Sequence, residues 1–180
     1  MGKTRIIWLR AVNVGGATLP MAELRELLGD LGATDVQTYI QSGNVVCVPP
    51  GKPEAFDRAL ERAIEAKYGF FRESISRTPA EVKTALAAYP FDAEEIKGEP
   101  KRAYISFMTG PPTAAAIEKA RTFETGDDDW QVIGQELHLF HAHGAGKPTM
   151  KSASIGRALK VPATARNLNT VRKVLDLADG

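Results

Sequence analysis

The chain has 180 residues, 43% hydrophobic and 25% charged, with a formal charge of +1 at neutral pH, so it has room for one medium domain or two small packed ones, and its overall charge points to no partner. Cys47 is the only cysteine, which excludes an intramolecular disulfide and any multi-cysteine metal site. A cytoplasmic protein is expected: the apolar stretch from Ile6 to Leu9 is too short for a signal peptide and is bounded by Arg5 and Arg10, and no run approaches a membrane span.

Arg5 to Arg10 reads as a buried strand, followed by the polar, glycine-containing segment Ala11 to Gly16. After Pro20, the residues Met21, Leu24, Leu27, Leu28 and Leu31 recur at helical spacing, with Thr18 as the expected N-cap and Gly32 as the stop. Val36 to Ile40 and Val45 to Val48 are short β-branched strands joined by a hairpin turn at Gln41-Ser42-Gly43-Asn44. Beyond the proline-rich gap Pro49 to Pro53, a helical stripe of Phe56, Leu60, Ala63, Ile64 and Tyr68 ends at Gly69, and Phe70 to Arg77 reads as a fourth strand. The first half, 1–78, is therefore expected to run β-α-β-β-α-β.

Residues 79–100 form a connector, with a helix from Pro79 to about Tyr89 and a polar loop through Glu94, Glu95 and Gly98. The order of elements then repeats over 101–180. Arg102 to Met108 is a strand, Thr113 to Thr122 a helix, and Trp130 to Ile133 with Leu137 to His141 a hairpin turning at Gly134-Gln135. Pro148 to Leu159 reads as a helix, Ala163 to Arg166 as a short strand, and Leu168, Val171, Leu175 and Ala178 as one face of a last helix. The expected fold is α+β, two ferredoxin-like halves in tandem, the second with an extra C-terminal helix; one continuous mixed sheet is the rival.

Four strings carry a resemblance: Leu9-Arg10 with Asn13-Val14-Gly15-Gly16, Pro20 to Arg25, Thr38 to Val46, and Ala163 to Val171. On these the chain resembles the bacterial domain-of-unknown-function family numbered sixteen ninety-seven. The resemblance implies two ferredoxin-like halves and no particular reaction or cofactor. The chain departs from the family's usual glycine at Ala11 and usual aromatic residue at Leu168, and the latter weighs against a stacking role there.

Three constellations are candidate binding sites. The first is Arg10, Asn13, Gly15 and Gly16: bare N–H groups of glycines ahead of a helix, with a cation and an amide beside them, suit a phosphate or carboxylate. The alternative is a tight reversal in which Asn13 bonds its own backbone, and Pro20 removes one donor. The second is the turn carrying Ser42 and Asn44, either a polar loop tip or an ordinary turn. Taking the first and third strands as parallel puts this turn at the opposite end of the sheet from Arg10, whose neighbours would be Pro49 to Pro53 and the start of the fourth strand near Phe71 and Arg72. The third is the C-terminal stretch, where Lys147, Lys151, Arg157, Lys160, Arg166, Arg172 and Lys173 face only Asp176 and Asp179, a balance of +5 against −4 elsewhere. Lys147, Lys151, Arg166, Asn167 and Asn169 are its candidate contacts to a phosphate-containing ligand or nucleic acid; solvated helix faces and an N-cap at Asn167 or Asn169 are the alternatives.

Other chemistries find less support. His141 and His143 would share a strand face but lack a third ligand, since His138 alternates away. Cys47 between valines reads as a small core residue, and Asp127 and Asp128 lie in an acidic run that makes a poor acid–base setting. No cofactor motif is present. The readings carried forward are binding of a phosphorylated ligand or nucleic acid through a basic surface, a small enzyme with an anion site built on Arg10, Asn13 and Arg166 in a cleft between halves, and a structural or oligomerisation module.

Overall fold

In the computed structural model, which describes residues 2–91 and 99–180, the chain is α+β, with two four-stranded antiparallel sheets and six helices among the described residues. The expected polar loop through Glu94, Glu95 and Gly98 lies outside them. The chain divides into two compact units, one of residues 1–83 with 172–180 and one of residues 84–171. Among the described residues eight strands form two separate four-stranded sheets rather than a single continuous one.

The first unit contains β1 (Arg5–Leu9), α1 (Met21–Asp30), β2 (Thr34–Tyr39), β3 (Asn44–Val48), α2 (Pro53–Tyr68) and β4 (Ser74–Arg77). Its strand order is β2-β3-β1-β4. The central strands are apolar on both faces: Ile6, Ile7, Trp8 and Leu9 of β1 are fully buried, as are Val45 and Cys47 of β3. The edge strand β2, by contrast, carries Thr, Asp and Gln, which suits a strand open to water on one side. On α1, Met21, Leu24 and Leu28 fall on the buried face, and Gly32 at φ 86° closes the helix; Pro20, rather than Thr18, occupies the N-cap, with no side-chain cap. On α2, Phe56, Leu60 and Ile64 bury at a four-residue period, each contributing about 2 kcal/mol, until Gly69 turns left-handed and stops the helix. The strand expected from Phe70 shortens to Ser74–Arg77; just ahead of it Glu73 O accepts from Arg10 N, and the Arg72 side chain donates to Ala11 O and Phe71 O.

Burial pushes the Cys47 thiol up to about 12. Folded protein at pH 8 is therefore expected to leave Cys47 unmodified by a thiol reagent over hours, with one equivalent reacting in denaturant. Rapid labelling of folded protein would contradict this burial.

The second unit holds β5 (Ala103–Met108), α4 (Ala114–Arg121), β6 (Asp129–Ile133), β7 (Glu136–Phe140), α5 (Ser152–Leu159) and β8 (Ala163–Asn167), ordered β6-β7-β5-β8. Its core gathers Met108, Ala120, Trp130, Leu137, Met150, Ile155 and Leu159. The Thr113 hydroxyl accepts from Ala116 N and caps α4. α5 begins at Ser152 rather than Pro148, because residues up to Met150 are held in a loop by Asp128. α3 (Pro79–Ala87) and α6 (Leu168–Asp179) complete the helices.

Candidate basic site and the sequence-predicted loops

β1 pairs with β3 antiparallel, Trp8 opposite Asn44, and this corrects the parallel arrangement expected from sequence. The loop after β1 and the turn before β3 therefore lie at the same end of the sheet. Asn13 Nδ2 donates to Gln41 O at 2.5 Å and to Leu19 O at 3.0 Å, while its Oδ1 accepts from Leu19 N at 2.8 Å. Leu9 N donates to Gly43 O, and a Cβ on Gly43 would stand 2.6 Å from Val12 Cγ2, so only glycine fits between the loops. The start of β4 does join this end, as expected: Arg10 pairs with Glu73 at 3.1 Å, and Arg72 Nε donates to Ala11 O. Pro49 and Pro50 do not; they approach Gly2 and Gly32 instead.

The polar groups predicted here thus hold the loops to one another. Asn44 is buried and donates to Tyr39 O and Ser42 Oγ. Ala11, Asn13 and Ile40 hold left-handed backbone, a cost of about 1–3 kcal/mol for a β-branched residue such as Ile40. Gly15 and Gly16 face open space, with nothing within 4 Å of the Cβ either would carry.

In the second unit Asp128, read from sequence as part of an acidic run poorly set for acid–base chemistry, is 3% exposed. Its Oδ1 accepts from Ala142 N, and its Oδ2 from Thr149 N and Met150 N; His141 Nδ1 lies 3.2 Å from Oδ2. Burial alone would raise this carboxyl; the three N–H donors and His141 hold it below the usual range. His141 and His143 lie beyond the end of β7, so they share no strand face, and exposed His143 pairs with Asp127. His138 is fully buried edge-on to Tyr89, and burial pushes it down to about 4.

The basic C-terminal residues disperse. Arg166 is buried, donates to Thr164 Oγ1 and Ala165 O, and is lowered to about 10 by burial. Asn167 Oδ1 accepts from Thr170 N and caps α6. Asn169, Lys147 and Lys151 are exposed, and Arg172 and Lys173 belong to the other compact unit. Arg157 and Lys160, however, meet Lys119 of α4 around a cavity of about 480 Å³ lined also by Phe123, Ser154 and Ala158.

None of these three cations is ion-paired among the described residues; Arg157 donates only to Ser154 Oγ, at 3.2 Å. They sit where α4 and α5 end, and each helix C-terminus contributes about −0.5 charge. Three positive charges against two such half-charges leave a balance of about +2 around the cavity. The cavity is a groove open to solvent along much of its surface. Sequence reasoning found Arg157 and Lys160 within the basic stretch but missed Lys119 and Phe123. The basic last turn of α4 was the available signal, and only the packing of α4 on α5 makes it meaningful.

The family model described as "Protein of unknown function (DUF1697)" matches residues 2–138. Among solved structures, the chain is similar to the conserved bacterial protein SP0830 from Streptococcus pneumoniae, with a TM-score of 0.74, 22% identity and 100% of each chain covered, a likeness of fold. No curated protein matches the chain.

Proposed function

We propose, for a chain that belongs to the DUF1697 family of proteins of unknown function, that it binds a phosphorylated small ligand in the cavity between α4 and α5 of its second unit. The observation carrying this reading is the convergence of Lys119, Arg157 and Lys160 on one cavity with no carboxylate in its lining among the described residues. Ser154 supplies a hydroxyl to a phosphate oxygen. Three charge-assisted contacts at an open site, at about 1.5–2 kcal/mol each, correspond to a Kd on the order of 0.05–0.5 mM for a bare phosphomonoester. The same reading takes both halves as ferredoxin-like, with strand orders β2-β3-β1-β4 and β6-β7-β5-β8 as its support. It also takes the protein as cytoplasmic, which suits its single, buried, free cysteine.

Calorimetric titration with ribose 5-phosphate at low salt tests the proposal. Lys119→Ala and Arg157→Ala are each expected to weaken binding about tenfold with melting temperature unchanged, and 0.3 M salt to weaken it further. Wild-type affinity in both variants would overturn it. Nucleic acid is the competing polyanion: an oligonucleotide that binds far tighter than the monoester, with a steep salt slope, would favour it. A second reading puts the anion at Gly15 and Gly16 beside Arg10, favoured by the open space around the two glycines. There Arg10→Ala would abolish binding without unfolding the protein.

A further inference from the structure

We infer that the ligand of the α4–α5 cavity carries an aromatic or heteroaromatic ring together with its phosphate, as a nucleoside monophosphate does; this rests on the phosphate reading above. A phosphate group alone engages the cations and leaves most of a cavity of about 480 Å³ unoccupied. The rest of the lining has a different character. Phe123, two residues past the end of α4, is half-buried: it packs against the core of Met108, Trp130 and Ile155 and also lines the cavity. Ala158, the lining residue on α5 with the shortest side chain, adds a second apolar surface to the same lining. Phe123 N donates to Ala120 O, so the backbone at the ring is fixed by the close of α4.

An aromatic side chain that packs on the core and lines the same cavity as three cations is the combination that binds a base by stacking while its phosphate is held electrostatically. The Arg157 guanidinium, held by Ser154 Oγ, adds a planar cation to the same lining. A sugar phosphate can use the cations and not the ring. Selectivity for a nucleotide over a sugar phosphate is therefore the property the site is built to have.

The test compares AMP with ribose 5-phosphate, which carry the same ribose and phosphate and differ in the base. Wild-type protein is expected to bind AMP about tenfold more tightly. In Phe123→Leu that advantage should vanish while ribose 5-phosphate binds as before, and Phe123→Trp, which keeps a stacking face, should retain it. Because Phe123 contacts the core, melting curves accompany both variants; Phe123→Trp provides the readout should Phe123→Leu fail to fold. Equal binding of AMP and ribose 5-phosphate to wild-type protein, or an AMP advantage that survives in folded Phe123→Leu, would overturn the inference and leave the phosphate reading standing. Failure of both ligands to bind would overturn both.

Discussion

Replacing Asp128 by alanine is expected to lower the unfolding free energy by on the order of 5 kcal/mol, the largest single-residue effect foreseen for this chain. The carboxylate accepts from the backbone N–H groups of Ala142, Thr149 and Met150. Each donor left without an acceptor costs about 1–3 kcal/mol, and water entering the cavity restores only part of it. The loss spreads, because Thr149 in turn accepts from Asp128 N and donates to Thr125 O, tying the loop before β6 to the loop before α5. Asp128→Asn should fall between, since the amide keeps one acceptor oxygen but turns N–H donors toward another N–H. The folded-state carboxyl is held below its ordinary value, so its stabilisation is present above the unfolded value near pH 4 and is lost as pH falls through the folded one. Urea denaturation at pH 7 measures the effect; a loss under about 1 kcal/mol would show that the loops stand without this hub.

Asp57→Asn is expected to act in the opposite direction, stabilising the protein at pH 7 by about 3 kcal/mol. Burial raises the Asp57 carboxyl to about 6 despite hydrogen bonds from Ser76 and Ser74 and the nearby charges of Arg5 and Arg58. Below pH 4 both folded and unfolded chains carry the proton. Between pH 4 and 6 the unfolded chain releases it and the folded chain retains it, so stability declines as pH rises through the folded value. An asparagine never ionises, and the variant should match wild type at pH 4 and exceed it at pH 7. A shallower slope remains from Glu61, also raised chiefly by burial, whose carboxylate accepts from Ser74 N on the edge strand. Parallel stability curves for the two proteins from pH 4 to 7 would contradict the assignment.

Both residues show what composition and periodicity do and do not convey. The helices of the first unit were legible because Leu24 and Leu28, or Phe56, Leu60 and Ile64, repeat at helical spacing and because Gly32 and Gly69 accept the left-handed turn that ends them. Strand direction was not legible from the residues of β1 and β3. Antiparallel pairing, with Trp8 opposite Asn44, is what joins the Asn13 loop to the Gly43 turn and brings the two candidate ligand sites to one cross-braced end of the sheet. Asp128 escaped notice for a different reason: within an acidic run nothing singles it out, and its partners lie 13 to 22 residues along the chain. The basic site is legible only in part, since Arg157 and Lys160 are close in sequence whereas Lys119 and Phe123 reach them only through helix packing.

The most direct test of the phosphate site is a map of backbone amide shifts on adding ribose 5-phosphate to isotope-labelled protein at low salt. The shifts are expected to concentrate at Lys119, Phe123, Ser154, Arg157 and Lys160, to saturate together and to collapse with added salt. Shifts centred on Gly15 and Gly16, or no saturable shifts at all, would contradict the site.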